Sequence, residues 1–97
     1  MIIQKIFQEC EERGASDIHI KEGEPIMFRI EWKLVPSVTG VNPDKILMFD
    51  FLYTLLYKKK EKISAIKHNM EADFGFIYEE KTSYRGNAYM YMGKIGI

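Results

Sequence analysis

Ile2, Ile3, Ile6, Phe7 and Cys10 recur at helical spacing, with Gln4, Lys5, Glu9, Glu11 and Glu12 between them and Gly14 just beyond. This pattern predicts an amphipathic helix over residues 2–13, stopped by a glycine able to take the left-handed conformation. The period then changes. Ile18 and Ile20 alternate with Asp17, His19 and Lys21, and after Gly23-Glu24-Pro25 the residues Ile26, Phe28 and Ile30 alternate with Met27, Arg29 and Glu31. Two strands are expected, with Arg29 on the face opposite Phe28 and Ile30. Leu34-Val35-Pro36 reads as a possible third strand and residues 37–41 as a loop. Asn42-Pro43-Asp44 predicts a helix from Pro43 to about Tyr57, with Asn42 as N-cap and Pro43 in the first helical position. The apolar density of Ile46, Leu47, Phe49, Leu52, Leu55 and Leu56 implies a helix covered around much of its circumference. A weaker helix is expected from about Lys59 to His68.

The last third returns to period two. Phe74, Phe76 and Tyr78 alternate, residues 79–81 turn the chain, and Tyr84, Gly86, Ala88, Met90 and Met92 form a second alternating set. Arg85, Asn87, Tyr89 and Tyr91 lie on the other face of that strand, a polar and aromatic row that packing alone does not require. Residues 93–97 resemble the start of one more strand. The order of helix, strands, two helices and strands predicts an α+β fold, an antiparallel sheet with helices on one face. No repeat or linker interrupts it, and 97 residues suit one domain spanning 1–97.

Composition narrows the chemistry. The chain is 46% apolar with 13% aromatic residues, too rich for disorder, and its 14 basic and 14 acidic side chains cancel. A nucleic-acid partner is therefore not expected. The run Lys58-Lys59-Lys60-Glu61-Lys62 reads as a solvated helix start. Cys10, the one cysteine, excludes an internal disulfide, suits a reducing cytoplasm and lies on the buried stripe of its helix, which favours a packed thiol over a reactive one. The charged N-terminal segment resembles neither a signal peptide nor a membrane span.

Neither phosphate-binding glycine motif is present. His19 and His68 stand on different elements with no further ligand at metal-binding spacing, so no metal site is expected. Ser16 beside Asp17 and near His19 reads as an ordinary strand entry, since adjacent strand residues point to opposite faces, and Glu71 with Asp73 reads as solvated capping before a strand. Arg29 and Arg85 remain. Each sits mid-strand on the face away from the core, where a guanidinium offers a planar fork of donors to an external carboxylate or phosphate or joins an ordinary surface ion pair.

Several of these segments, taken in order, resemble the type IV pilus and type II secretion ATPases. Gly14-Ala15-Ser16-Asp17-Ile18-His19 is similar to that family's GASD(I/L)H, and Pro25 to Ile30 to its P-x-x-x-R-(I/V) strand. Glu71-Ala72-Asp73-Phe74 is similar to E-x-D-F, Tyr84-Arg85-Gly86-Asn87 to (F/Y)-R-x-N, and Gly93-Lys94-Ile95-Gly96 to G-x-(I/L)-(G/A). The segments extend over nearly the whole chain. The short helix leading into GASD is most similar to the pilus-retraction branch.

The resemblance implies a PAS-like domain preceding a RecA-like ATPase core, within a homohexamer that binds ATP and Mg. In that setting Arg85 and Arg29 approach nucleotide phosphates supplied by the cores, while Trp32, Tyr89, Tyr91 and Asn87 serve interdomain packing. The implied parent is a cytoplasmic motor, peripheral at the inner membrane through a pilus platform protein, and the chain alone is not expected to hydrolyse ATP. Two departures stand out. Glu31-Trp32 replaces the family's Asp-Gly, which predicts a different or wider turn because Trp tolerates positive φ poorly. Ser83 replaces the first arginine of R-(F/Y)-R, which thins the basic face. The other readings of the residues are a free-standing PAS-like ligand sensor and a dimerisation module using a sheet edge.

Overall fold

The computed structural model describes residues 2–57, 59–68 and 70–97. Lys58, first in the charged run, lies outside the described residues. The element order is α1 (Ile2–Arg13), β1 (Asp17–His19), β2 (Met27–Ile30), β3 (Lys33–Pro36), α2 (Lys45–Leu55), α3 (Lys60–Lys67), β4 (Ala72–Tyr78), β5 (Thr82–Tyr91) and β6 (Lys94–Gly96).

Helix α1 forms as the sequence predicts, burying Ile3, Ile6, Phe7 and Cys10. Its end is a Schellman closure. Gly14, at φ +65°, donates to Glu11 O (3.3 Å), and Ala15 donates to Cys10 O (3.0 Å). This turn redirects the chain straight into β1, where Ser16 N–H donates to Arg29 O (2.9 Å).

Helix α2 begins two residues later than the sequence suggests. Asp44, not Asn42, is its N-cap, accepting from Leu47 N–H at 2.8 Å. Pro43 is buried outside the helix, and its carbonyl accepts from Gly23 N–H (2.7 Å). That tertiary bond holds Pro43 in the loop. Only one face of α2 is covered: Met48, Phe51, Leu52 and Leu55 are buried, whereas Ile46 is 75% exposed.

The strands form two antiparallel three-stranded sheets, β1-β2-β3 and β4-β5-β6, rather than one uniform sheet. They meet at one place. Ile20 and Ile97 exchange main-chain hydrogen bonds of 3.0 and 2.8 Å, and Glu22 N–H donates to Ile95 O (2.9 Å). The apolar faces of both sheets share one core with all three helices, through Phe28, Ile20, Phe74, Ala88 and Ile95 against Ile6, Phe51, Leu52 and Ile66. Phe7 of α1 stacks on Phe76 and Tyr78 (centroids 5.0 and 5.4 Å) and meets Tyr84 edge-on at 4.8 Å.

The hairpin turns correct one expectation. Ile30 pairs with Lys33, so Glu31-Trp32 is a two-residue loop, and both residues take positive φ (+49° and +70°). The turn has the backbone signs of the primed turn that Asp-Gly would make, not a wider one. Strand pairing on both sides imposes the right-handed ribbon twist, and a primed turn matches it. The register therefore overrides the preference of Trp32. Met92-Gly93 (+51°, +78°) closes β5–β6 in the same way.

Buried polar contacts pin α1 to the β3 exit. The Glu9 carboxylate accepts from Arg13 Nη1 (2.6 Å), Ser37 Oγ (2.6 Å) and Val38 N–H (2.9 Å). Burial raises its pKa, but the donors from Ser37, Val38 and Arg13 outweigh that, and the net shift is downward.

Candidate functional site

The motif segments singled out in the sequence meet in pairs across the strands. Asp17 is in register with Arg29, and Asp73 with Asn87. Period two then places these four residues on the sheet faces that point away from the helices.

On the first sheet Asp17 is the hub. Its Oδ2 accepts from Ser16 Oγ at 2.8 Å and lies 3.7 Å from Arg29 Nε. Arg29 is thus engaged in the surface ion pair that was one of its two readings, with both partners partly exposed. Such a pair contributes at most about 1 kcal/mol, so an external anion can compete for the guanidinium.

On the second sheet Asn87 Nδ2 donates to Asp73 Oδ1 (3.0 Å), while Lys62 Nζ from α3 donates to Asp73 O (2.5 Å). Arg85 stands beside these groups, exposed, and no described carboxylate pairs with it. Lys62, Asp73, Gly75, Arg85 and Asn87 line one shallow outer groove. Its two cations, Lys62 and the guanidinium of Arg85, are suited to a charged acceptor from another body. Sequence reasoning missed Lys62, since a lysine in a charged helix start carries no sign of the strand it will reach.

The two arginines occupy different sheets and do not form one described cluster. The aromatic candidates also separate. Trp32 is 91% exposed on the β2–β3 turn, whereas Tyr91, 70% exposed, sits beside the β5–β6 turn at the opposite end of the strands. Tyr89 packs its ring over Gly96. Asn87 is half-buried on its bond to Asp73.

His19 and His68 are both exposed and stand on different elements, and His68 Nδ1 lies 2.8 Å from Ser64 O. Among the described residues no group of three or more His, Cys, Asp or Glu side chains is placed to hold a metal ion, and no helix is long and apolar enough to cross a membrane. Cys10 is buried, its thiol pKa raised by that burial, with Ala15 O and the Tyr84 hydroxyl each 3.7 Å from Sγ.

These features define an α+β domain with helices on the apolar side of its strands and a polar, arginine-bearing outer side. The same fold occurs within the pilus retraction motor PilT, solved with bound ADP: TM-score 0.81 and 23% identity over 97% of this chain and 27% of that one. It also occurs within the ATPase DotB of Legionella pneumophila, with TM-score 0.78 and 20% identity over 98% of this chain and 27% of DotB. The chain thus spans about a quarter of the length of either protein. No protein-family model and no curated protein matches it.

Proposed function

We propose that this chain is the N-terminal, PAS-like domain of a motor ATPase of the secretion and pilus type. In the whole protein it packs between RecA-like cores of its own and a neighbouring subunit in a homohexamer. There it turns their nucleotide state into rigid-body rotation, a hinge-type transition that drives pilus retraction and twitching motility. The observation that carries this reading is the agreement of fold over essentially the whole chain with two such ATPases. ATP and Mg belong to the cores. This domain's contribution is Arg85, exposed and without a carboxylate partner among the described residues, and secondarily Arg29. A guanidinium presented to phosphate stabilises developing charge without covalent chemistry. The assembly works at the cytoplasmic side of the inner membrane against a pilus platform protein.

The test has two stages. The reading frame beyond the codon for Ile97 is expected to lead into a phosphate-binding G-x-x-x-x-G-K-[ST] loop. In that full protein Arg85→Ala is expected to lower kcat for ATP hydrolysis by about a hundredfold, with little change in KM. A frame that closes without such a loop, or a variant of unchanged kcat, would overturn the assignment or the role of Arg85 respectively.

A further inference from the structure

The uncovered face of α2 is apolar. Ile46, Phe49 and Tyr53 recur at i, i+3 and i+7; Ile46 and Tyr53 are exposed, Phe49 is half-buried, and the Phe49 and Tyr53 rings lie 6.5 Å apart between centroids. Tyr57 is exposed just beyond the helix end. The next helix sets lysines beside this stripe. In α3 the buried residues are Ile63 and Ile66, which turns Lys60, Ser64 and Lys67 outward at i, i+4 and i+7. Lys67 Nζ stands 5.4 Å from the centroid of the Phe49 ring, so the apolar and basic stripes adjoin.

We infer that these two stripes form a docking face for a bilayer surface bearing anionic phospholipid. The chain is neutral as a whole, but its charge is unevenly spread. Residues 44–68 hold six of the 14 basic side chains and three of the 14 acidic ones, which leaves eight basic against eleven acidic for the rest. The helical segment is thus the positive part of the molecule, and it is the part that exposes the apolar stripe. Its acidic residues stand aside from the line of contact. Asp44 is spent on the N-cap of α2, and Asp50 borders the stripe on the side of α1, where it lines a groove with Ile2 and Ile3. Glu61 is turned about 100° round α3 from Lys60.

The residue types favour lipid over an acidic protein. All six cations of residues 44–68 are lysines, and the three arginines of the chain lie elsewhere. Protein interfaces enrich arginine and deplete lysine, whereas headgroup phosphates attract any nearby cation without a fixed geometry. A lysine stem lies along apolar surface while its ammonium reaches the headgroups, and a tyrosine ring sits at the same level with its hydroxyl in water. Ile46, Phe49 and Tyr53 enter the boundary between headgroups and acyl chains, and Lys60 and Lys67 lie among the phosphates beside them. The contact depends on no part of the motor reading.

Co-sedimentation of the 97-residue chain with vesicles tests it. Vesicles of phosphatidylcholine with about 30% phosphatidylglycerol are expected to bind the chain at least about tenfold more tightly than phosphatidylcholine alone, an advantage lost on raising salt from about 0.05 to about 0.5 M. Lys60→Glu with Lys67→Glu should weaken that binding by at least about tenfold, and Ile46→Ser by at least about threefold. Lys33→Glu with Lys81→Glu changes the net charge equally on β3 and the β4–β5 turn and should leave binding as it was. All five positions are exposed, so the fold is not at stake. A chain that ignores anionic vesicles would overturn the inference and leave the face to an acidic protein partner. Equal losses in the two double variants, or undiminished binding by Ile46→Ser, would overturn it as well, by showing that net charge and not this face governs adsorption.

Discussion

Phe74 lies directly over Gly86, its cross-strand partner, and the ring fills the space in which any side chain at 86 would begin. A Cβ built on Gly86 would stand 2.9 Å from both Cε atoms of the ring, well inside van der Waals contact. This relationship couples two segments that the sequence shows only as separate motifs, and it gives the glycine a steric reason.

Gly86→Ala is therefore expected to destabilise the chain by about 2 kcal/mol, through displacement of the ring of a buried phenylalanine. Adding Phe74→Leu to Gly86→Ala should recover part of that loss, because the shorter side chain leaves room. Urea denaturation of the two single variants and the double variant measures the coupling. Strict additivity would refute the steric account.

Trp32 is held at φ +70° on the β2–β3 turn while its side chain is almost fully exposed. Left-handed backbone costs a residue with a Cβ about 1 kcal/mol, and little burial is lost on removing the indole. Trp32→Gly is expected to raise stability by about 1 kcal/mol, a gain of roughly 4–8 °C in Tm for a domain of this size. A lower Tm would mean that the indole makes contacts that outweigh the strain. The exposed indole is available to the interdomain packing proposed for the whole motor.

Glu9 supplies a pH dependence. Its folded pKa lies below the unfolded one, so its contribution is fully present above the unfolded value near 4.5 and is lost as pH falls through the folded value. Stability should accordingly drop below about pH 4.5. Glu9→Gln should flatten that acid limb while costing about 2 kcal/mol at neutral pH, since the donors of Ser37, Val38 and Arg13 lose their anionic acceptor. Thermal melts of both chains from pH 3 to 7 compare the slopes; parallel curves would assign the acid sensitivity to other carboxylates.

Cys10 is 1% exposed and its thiol pKa is raised by burial. A thiol-specific reagent at neutral pH should label it at least about a hundredfold more slowly in the native chain than in denaturant. Comparable rates would show that the end of α1 opens readily.

Helix α1 and its glycine stop, the alternation of β2, β4 and β5, and the outward placement of Arg29 and Arg85 were legible in the sequence because each depends on local periodicity or on one residue's backbone freedom. Where competition from afar enters, local reading failed. Asn42-Pro43 looks like a helix start, but the hydrogen bond from Gly23 to Pro43 shifts the cap to Asp44. Glu31-Trp32 argues against a tight primed turn, but the paired strands twist the chain into one.

What the sequence by itself determined, then, is which side of each element is apolar, since that follows from spacing along the chain. Only the tertiary structure decided that the strands form two sheets joined through Ile20 and Ile97, that Arg29 has Asp17 while Arg85 has no described carboxylate, and that Lys62 reaches Asp73. These are contacts between distant segments, set by how the apolar faces close over one shared core, and spacing along the chain carries no record of which outer residues that closure brings together.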